Sequence, residues 1–442
     1  MTSLAWSLGE VAEFVGGVLV GGDMRIDSIA TDSRLVEPGS LFVALEGEHF
    51  DGADFAVEAM ERGATAVLGR PGHQMEPRIE VKDTSVALLM LGAKRRSELS
   101  IPVIAITGST GKTSTKDLLH AGIEGSWASP RSYNNEVGVP LTVLSTPDDA
   151  TALIVEVGSR GAGHIEWLSP AIIPDVAIVT NLGQVHLETF GSEQGLADAK
   201  YELVAMLASD GVAVLPHNEA RLRRAGEPCI ATFGIDDGAT VSVSPVATDA
   251  EGHPAFTLTT TGEAYDVSLL MAGEHQAINA AAAVAAAAAI GIDPADFIPR
   301  METATGSDWR MEVHPGDVTI VNDAYNSNPQ SLEAALRTVA AMPGRHIAVL
   351  GPMAELGPVC EREHVRMGQL VGELGYAHMF VVGPDHGYAL GAPDLVRNAT
   401  DIGQCLDTLS HTLQRGDVVL VKASRSAGFE QLALHLIKDP SP

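Results

Sequence analysis

Apolar and polar positions along the chain follow two alternating patterns. Short runs dominated by Val, Ile, Leu and Ala recur, and the stretches between them have helical periodicity. Apolar runs of this length that do not alternate with polar residues are typical of parallel strands buried on both faces, so the pattern predicts an α/β fold. The predicted strands are 101–106, 152–157, 175–180, 212–215, 318–322, 346–350, 378–382 and 417–421.

Start signals and composition predict three helices. One covers 112–123, and a second covers the alanine-rich stretch 277–290. A third begins near Pro329, because proline is favoured at the first helical position and Asn328 precedes it as an N-cap residue. The Thr-, Ser- and Asp-rich stretch 236–270 is predicted to be an excursion of β-structure.

Two changes in the pattern predict three domains. Around 96–102 a helical stretch gives way to a strand, and around 303–308 a short polar segment separates the alanine-rich helix from a new strand-rich section. A length of 442 residues also suits about three domains. The predicted domains are 1–99, 100–305 and 306–442.

Composition and charge narrow the function. Hydrophobic residues make up 45% of the chain and charged residues 19%, which is typical of a folded globular protein. The formal net charge of −29 argues against nucleic-acid binding and against docking on anionic membranes. Three separated cysteines fit a reducing cytoplasm, and neither a signal peptide nor a membrane-spanning stretch is evident. We therefore expect a cytoplasmic protein without membrane insertion.

The clearest chemical signal is the sequence GSTGKTS, which follows a predicted strand and begins a predicted helix. Small residues let backbone N–H groups approach phosphate oxygens, and the helix dipole favours their negative charge. In the usual phosphate loop four residues separate the glycines, whereas only Ser109 and Thr110 separate Gly108 from Gly111. We interpret the segment as a compressed phosphate loop; the alternative is a glycine turn that only caps a helix.

Two side chains of this loop suit nucleotide chemistry. Lys112 would hold the terminal phosphates, and the Thr113 hydroxyl would bind Mg²⁺. Further polar residues end or follow other predicted strands: Glu156 ends 152–157, Asn181 and His186 follow 175–180, and Asp323 follows 318–322. Because open α/β sheets bind ligands at the carboxyl ends of their strands, we expect these groups to converge on one edge.

The compressed loop and several other segments resemble the Mur ligase family and its folylpolyglutamate synthase relatives. The resemblance spans nearly the whole chain. It implies a small N-terminal domain that binds a uridine nucleotide, a central ATP-binding domain with a mainly parallel sheet, and a C-terminal Rossmann-like domain. The segments that carry it are the loop, 31–69, 134–144, 181–203, 322–336, 351–357 and 421–426.

The resemblance also implies an activity. The chain would be a monomeric, ATP-dependent amide ligase that joins D-alanyl-D-alanine to UDP-N-acetylmuramoyl-tripeptide in peptidoglycan biosynthesis. ATP would phosphorylate the terminal carboxylate of the tripeptide, and the dipeptide amine would displace phosphate from the acyl phosphate. The enzyme's task is then mainly to position the substrates and to neutralise their charge.

The family implies a metal site. Its matching glutamate and histidine bind Mg²⁺, and its matching lysine in many members carries a carbamate derived from CO₂. Taken alone, Glu156 suits a salt bridge at a strand end, His186 a packed or surface histidine, and Lys200 a solvated cation. Carbamylation requires a neutral amine, which burial of the lysine favours. The implied metal-site residues are Thr113, Glu156, His186 and Lys200, and the implied catalytic residues are Lys112, Glu156, His186 and Lys200.

The family also implies residues for the three substrates. Asn279 matches an asparagine that contacts adenine, although helix capping is an equal alternative. For ATP the resemblance implies Thr107, Gly108, Ser109, Thr110, Gly111, Lys112, Thr113, Ser114, Asn279, Arg310 and Asp323. For the uridine nucleotide it implies Thr31, Ser33 and Arg34, and for the region of the dipeptide and γ-phosphate it implies Lys422, Ser424 and Arg425. Departures from the family pattern include Pro352, Ala423 and the segment EVGSRGAGHI.

Alternatives from the same family and from other classes remain. A sister ligase that adds a single amino acid would be expected to carry a D-N-P-R type motif, which is absent. Folylpolyglutamate synthase lacks the uridine-nucleotide module that the first 99 residues resemble. A nucleotide-dependent switch of the GTPase kind usually has an N-K-x-D motif, also absent, and the intact set of candidate ligands argues against an inactive binding protein.

Overall fold

The computed structural model describes residues 4–47, 50–72, 75–130, 132–183, 190–224 and 229–438. The chain forms two compact units, each built from separate stretches of sequence. The first unit comprises Met1–Thr107, Ile123–Ile178 and Glu202–Ala213, and the second comprises Gly108–Gly122, Val179–Tyr201 and Val214–Pro442. The three domains expected at 1–99, 100–305 and 306–442 stay a prediction.

The N-terminal part of the first unit is built on a five-stranded sheet. Four neighbouring strands are parallel, and Val18–Val20 joins Arg78–Glu80 in antiparallel register. The helix Leu8–Val15 begins with a capping box between Ser7 and Glu10. In order, the strands are Val18–Val20, Arg78–Glu80, Ala66–Gly69, Ser40–Val43 and Ser28–Ala30; the pair Trp6–Ser7 and Arg25–Ile26 and the helices Leu8–Val15, Ala56–Glu61 and Thr84–Glu98 complete this part.

A second sheet contributes its most buried strands to the first unit. Every residue of Val103–Thr107 and of Leu153–Glu156 is buried, and the two strands pair in parallel register. The predicted parallel strands with two covered faces are therefore confirmed here. The consecutive strands are Trp127–Ala128, Leu153–Glu156, Val103–Thr107, Val176–Val179 and Val212–Pro216, with the helices Gly138–Leu144 and His164–Ile172.

The second unit contains the β-excursion and the alanine-rich helix, both as predicted. The helix His275–Ala289 is almost entirely buried along its alanines, whose small side chains let neighbouring elements approach closely. Antiparallel pairing joins Pro254–Thr260 to three neighbours. The strands are Cys229–Gly234, Val241–Val243, Ala247–Thr248, Pro254–Thr260 and Glu263–Ser268, and the helices are Lys112–Gly122, Glu193–Ala205, His275–Ala289 and Pro294–Met301.

A six-stranded sheet forms the C-terminal part of the second unit. Successive side chains of a strand point to opposite faces, and here both faces are packed. Val321 and Leu420 lie in one apolar cluster, whereas Ile320 and Val419 lie in the other. In order, the strands are Glu312–His314, Thr319–Asn322, Asp417–Lys422, Arg345–Leu350, His378–Val382 and Val396–Ala399, and all neighbours except the first pair are parallel.

Helices cover this sheet, and the predicted start at Pro329 is confirmed. Asn328 Oδ1 accepts from the N–H of Ser331 at 2.9 Å in a capping box. The helices are Pro329–Ala341, Cys360–Glu373, Tyr388–Gly391, Ile402–Ser410 and Glu430–Lys438; short 3₁₀ turns elsewhere in the chain are Ser33–Leu35, Gly52–Phe55, Ala220–Leu222, Gly357–Val359 and Arg425–Ala427. Across the described ranges, none of the helices combines the length and apolarity needed to cross a bilayer.

Candidate active site

The glycine loop lies in the second unit, and two of its positions have a backbone shape that favours glycine. Gly108 has φ +142° and Gly111 has φ +80°. A Cβ atom on Gly108 would overlap Thr180 Oγ1, and one on Gly111 would lie 2.5 Å from Asn279 Oδ1. Glycine therefore lets the loop pack directly against Thr180 and Asn279. The tight turn that results leads into the N-terminus of the next helix, which is the part of a helix that favours a phosphate.

Thr180 and Asn181 hold the loop in shape. The backbone oxygen of Asn181 accepts from Ser109 N–H at 3.2 Å, and its Oδ1 accepts from Thr110 N–H at 3.0 Å. Asn181 Nδ2 donates to Thr110 Oγ1 at 2.7 Å, and Thr180 Oγ1 donates to the Thr110 carbonyl at 2.5 Å. Because these two N–H groups bond within the protein, the N-terminus of the helix Lys112–Gly122 is the part of the loop that presents positive potential to an anion.

Lys112 is the first residue of that helix and is half-buried. Its Nζ donates to the Gly108 carbonyl at 2.8 Å, so the ammonium lies over the loop rather than extending into solvent. Thr113 and Ser114 are buried in the first helical turn, and Thr107 is buried at the end of the preceding strand. The ammonium and the helix N-terminus together suit the terminal phosphates of a nucleotide.

Asn279 lies beside the same loop. It is the fifth residue of the helix His275–Ala289, so it does not cap that helix. Its Nδ2 donates to Gln276 Oε1 at 2.8 Å, and both side chains are buried. This hydrogen bond turns the Asn279 carbonyl oxygen toward Gly111. The structure therefore places Asn279 beside Gly111, in the same unit as Lys112.

Glu156 ends a buried strand of the first unit. Its side chain is 1% exposed, and it lies opposite Ile106 in parallel register. Asn134 Nδ2 donates to Glu156 Oε1 at 2.7 Å, and Ser129 Oγ accepts from the Glu156 N–H at 3.0 Å. A carboxylate buried this deeply needs hydrogen bonds or a cation, and Asn134 supplies one such bond. Glu156 is therefore a fixed, oriented carboxylate that suits a hard cation such as Mg²⁺.

A charged cluster joins Glu136 to the segment after Glu156, which departs from the family pattern. Glu136 Oε1 lies 2.9 Å from His164 Nε2 and 3.1 Å from an Arg160 nitrogen. Burial alone would raise the pKa of Glu136, but its backbone hydrogen bond, Arg160 and His164 outweigh burial and lower it. The sequence carries no signal for this cluster, because its members lie on two separate segments.

Lys200 is buried, with 4% of its surface exposed, and its Nζ lies 5.9 Å from the centre of the Phe190 ring. The predicted solvated setting is therefore not the one observed, whereas burial suits an amine that must lose its proton to become a carbamate. The predicted ligand His186 lies outside the described residues. Within the described ranges, no cluster of three or more His, Cys, Asp or Glu side chains has metal-binding geometry.

A buried ion pair joins two predicted ligand residues of the C-terminal sheet. Lys422 Nζ donates to Asp323 Oδ2 at 2.5 Å and to the Asn326 carbonyl at 2.9 Å. Lys422 is 2% exposed and Asp323 is 8% exposed. Burial lowers the pKa of Lys422, and the neighbouring Asp323 carboxylate opposes that shift. Met311 N–H also donates to Asp323, at 3.2 Å.

Arg310 and Arg425 both lie against aromatic rings. The guanidinium of Arg310 is 4.0 Å from the centre of the Tyr325 ring, and that of Arg425 is 4.7 Å from the centre of the Trp309 ring. The side chain of Arg425 is 51% exposed, and one of its nitrogens lies 3.4 Å from Glu430. The structure thus brings together Arg310, which the resemblance implies for ATP, and Arg425, which it implies for the region of the dipeptide and γ-phosphate.

Ser424 joins its segment to the loop at 351–357. Its Oγ accepts from the N–H of Ala354 at 2.6 Å, and its N–H donates to the Pro352 carbonyl at 3.0 Å. The neighbouring residue Met353 donates its N–H to His364 Nε2 at 3.1 Å. These bonds hold the two segments side by side at the carboxyl ends of neighbouring strands, so the position of Ser424 depends on the 351–357 loop.

His364 is a fully buried residue of that network. Its Nδ1 donates to the Cys360 carbonyl at 2.7 Å, which leaves Nε2 as an acceptor in the neutral ring. Burial lowers the pKa of His364 and outweighs the opposing effect of the Cys360 carbonyl; His386 lowers it further, and Asp385 and Glu363 raise it. A neutral ring suits the bond to Met353, because a protonated ring could not accept it.

The predicted uridine-nucleotide residues lie in the first unit, and two of them contact acidic neighbours. Ser33 Oγ donates to Glu58 at 2.9 Å, and Ser33 itself is buried. Arg34 bonds Asp32 through Nε at 2.9 Å and through a terminal nitrogen at 2.7 Å. Its side chain is 78% exposed. Thr31 is half-buried in the preceding segment. The structure thus places the three residues on one short segment, as the sequence requires.

Comparison with known proteins identifies the family. Three family models match consecutive stretches: the catalytic domain of the Mur ligase family at 25–106, the Mur ligase middle domain at 106–287, and the glutamate ligase domain of Mur ligases at 309–425. The chain is 33% identical to the UDP-N-acetylmuramoyl-tripeptide–D-alanyl-D-alanine ligase of Bacillus subtilis, over 97% of this chain and 98% of that protein.

Solved structures agree with this result. The crystal structure of MurF from Acinetobacter baumannii matches with a TM-score of 0.91 and 29% identity, covering 99% of this chain and all of that one. The MurF ligase of Thermotoga maritima in complex with ADP matches with a TM-score of 0.82 and 26% identity, over 93% and 97% of the two chains. The predicted α/β class is confirmed by these neighbours and by the sheets described above. By its sequence, its domain models and its fold, the chain belongs to the Mur ligase family.

Proposed function

We propose that the chain is an ATP-dependent ligase that joins D-alanyl-D-alanine to UDP-N-acetylmuramoyl-tripeptide, giving the pentapeptide precursor of peptidoglycan. The observation that carries this proposal is the likeness of the whole chain to ligases named for that reaction, at 33% identity over 97% of its length. The glycine loop with Lys112 supports the use of ATP, because it combines a tight glycine turn with a helix N-terminus and a cation.

The reaction proceeds by activation of a carboxylate. An oxygen of the tripeptide carboxylate attacks the γ-phosphorus of ATP, the bond to the β-phosphate bridging oxygen breaks, and ADP leaves. The dipeptide amine then attacks the acyl carbon, the C–O bond to phosphate breaks, and the amine loses a proton. Lys112 and the helix N-terminus neutralise phosphate charge, and Arg310 and Arg425 supply further positive charge.

We further propose that Thr113, Glu156, His186 and Lys200 form the Mg²⁺ site. Glu156 supports this role because it is a buried carboxylate whose orientation Asn134 fixes. Lys200 would contribute as a carbamate, formed when its neutral Nζ attacks CO₂ and releases a proton. Bound Mg²⁺ would supply charge neutralisation for the transferring phosphoryl group.

The first experiment measures phosphate release that depends on ATP and Mg²⁺. It uses UDP-N-acetylmuramoyl-tripeptide, with lysine or diaminopimelate as third residue, and compares D-alanyl-D-alanine with single amino acids. Release that requires the dipeptide, with the mass of the pentapeptide product, supports the proposal. Release with a single amino acid would favour a sister ligase, and release without either acceptor would favour a nucleotide-dependent switch.

Two lysine variants make that assay specific for the loop. Lys112→Met removes the ammonium that would lie at the phosphates. We expect activity to fall by about 10³-fold, because this ammonium would stabilise the negative charge of the transition state. Lys438→Met is the matched control, since Lys438 is an exposed residue at the end of the last helix. Equal activity of the two variants would contradict the assignment of Lys112.

We also propose that the chain is a cytoplasmic monomer. Size-exclusion chromatography with light scattering tests the oligomeric state of the purified protein. Separation of cytoplasmic and membrane fractions tests its location.

A further inference from the structure

Two cations of the second unit share one aromatic surface. The Tyr325 ring lies against both guanidiniums, with its centre 4.0 Å from that of Arg310 and 5.7 Å from that of Arg425. The Trp309 ring lies against Arg425 alone, at 4.7 Å. We call these two rings the aromatic platform. Among the described residues, Arg310 and Arg425 are its only cation–π partners.

The backbone around the platform is unusual and is held from several sides. Trp309 has φ +61° and Met311 has φ +50°, so the residues on both sides of Arg310 are left-handed. This conformation is rare for large side chains and tends to persist where surrounding contacts enforce it, often at functional sites. Here Tyr325 N–H donates to the Trp309 carbonyl at 3.1 Å, and Met311 N–H donates to Asp323 at 3.2 Å.

Contact between the face of a guanidinium and a ring can leave the N–H donors of the guanidinium available to an anion. The group is planar, and contact with a ring occupies its face while its N–H donors point outward in the plane. Such a fork matches the two oxygens of a carboxylate or a phosphate. The Arg425 side chain is exposed, and its ion pair joins one nitrogen to Glu430 at 3.4 Å, so it has room for a further anion. A ring that fixes the plane also reduces the entropy lost when an anion binds.

We propose that Tyr325 and Trp309 are positioning residues of the ligase. Tyr325 orients Arg310 toward the phosphates of ATP and Arg425 toward the carboxylate of D-alanyl-D-alanine, whereas Trp309 orients Arg425 only. The carboxylate of the dipeptide is an anion that the planar fork of Arg425 can bind through two parallel hydrogen bonds. The inference rests on the proposed function, since both ligands are substrates of that reaction.

The test compares the KM values for the two substrates in four single variants. Trp309→Leu should raise the KM for the dipeptide about fivefold to tenfold and leave the KM for ATP within about twofold. Tyr325→Leu should raise both KM values by a similar factor. Tyr325→Phe and Trp309→Phe retain a ring and should stay within about threefold of the wild type for both substrates.

A double-mutant cycle isolates the contact between Trp309 and Arg425. Arg425→Lys keeps the charge but loses the planar group, so it should raise the dipeptide KM about as much as Trp309→Leu. The double variant should then be no worse than either single one. This cycle also decides the matter if Tyr325→Leu fails to fold, which thermal unfolding of each variant would reveal.

Three results would overturn the inference. The first is a Trp309→Leu variant that raises both KM values equally, and the second is additive losses in the double variant. The third is a Phe variant as impaired as its Leu counterpart. Failure of the proposed function is seen separately, as a wild type that makes no pentapeptide. In that case calorimetric titration with a non-hydrolysable ATP analogue still tests the platform, since Tyr325→Leu should weaken binding and Trp309→Leu should not.

Discussion

The buried ion pair between Lys422 and Asp323 makes a quantitative prediction. Replacing Lys422 with Met removes the ammonium but preserves much of the side-chain volume. Asp323 then keeps the N–H of Met311 at 3.2 Å but loses the ammonium that lies 2.5 Å away. Because Lys422 is 2% exposed and Asp323 is 8% exposed, water does not readily replace the lost partner.

The expected loss follows from the cost of an uncompensated buried charge. Removing one partner of a buried pair costs about 3–5 kcal/mol. The remaining donor from Met311 places Lys422→Met near the lower end, at about 3 kcal/mol. At about 2–4 °C per kcal/mol for a folding unit of 150–250 residues, the transition that includes the C-terminal sheet should fall by roughly 6–12 °C.

Differential scanning calorimetry of the full chain measures this shift. The matched control is the double variant with Lys422→Met and Asp323→Asn, which replaces the stranded carboxylate with a neutral amide. We expect the double variant to recover at least half of the lost stability, because it no longer carries an unpaired charge. Equal losses in the single and double variants would refute the reasoning, since the loss would then come from packing and not from charge.

Three further predictions concern the loop, the buried lysine and the buried histidine. Gly111→Ala should weaken binding of an ATP analogue about tenfold, because φ is +80° and the new Cβ would lie 2.5 Å from Asn279 Oδ1. The control is Gly262→Ala, which has a similar φ of +86° but no neighbour within 4 Å, and it should leave this binding unchanged. Lys200→Ala should abolish ligase activity, and ¹³C NMR with labelled bicarbonate should show a carbamate in the wild type only; a fully active variant would contradict the proposal. Burial lowers the pKa of His364, so the unfolded state takes up a proton at this residue before the folded state does. As the pH falls below about 6.5, the stability that comes from the neutral buried ring is therefore lost. The melting temperature of His364→Gln should accordingly fall less between pH 7 and pH 5 than that of the wild type.

The sequence predicted the elements of the fold more completely than their edges. All eight predicted strands exist, and 378–382 coincides with His378–Val382, while 101–106 is displaced to Val103–Thr107. Unalternating apolar runs identified these strands because both faces are buried, which is a local property of the sequence. Edges depend on which hydrogen bonds the neighbouring strand offers, and that is not a local property.

The contacts of the site were less accessible from the sequence. Thr180 ends the predicted strand 175–180, and Asn181 follows it. This position at the carboxyl end of a strand was the available signal for a role beside the loop. Gln276 carried no such signal, and its bond to Asn279 depends on a helical spacing of three residues that many sequences share. Asn134 donates a hydrogen bond to Glu156 although the two residues lie 22 positions apart in the chain. At this separation the sequence pattern does not predict which side chains come into contact.

Two contacts of the second unit join residues that the family resemblance assigns to ATP with residues that it assigns to the region of the dipeptide and γ-phosphate. Asp323, implied for ATP, is paired with Lys422, implied for the dipeptide region, and the aromatic platform joins Arg310 to Arg425 in the same way. A ligation reaction needs the acyl phosphate and the incoming amine in one geometry, and a set of charges fixed to one another before binding meets that need without reorganisation. Tyr325, which contacts both arginines, cannot be altered for one substrate alone, so it couples the two half-reactions through the protein itself.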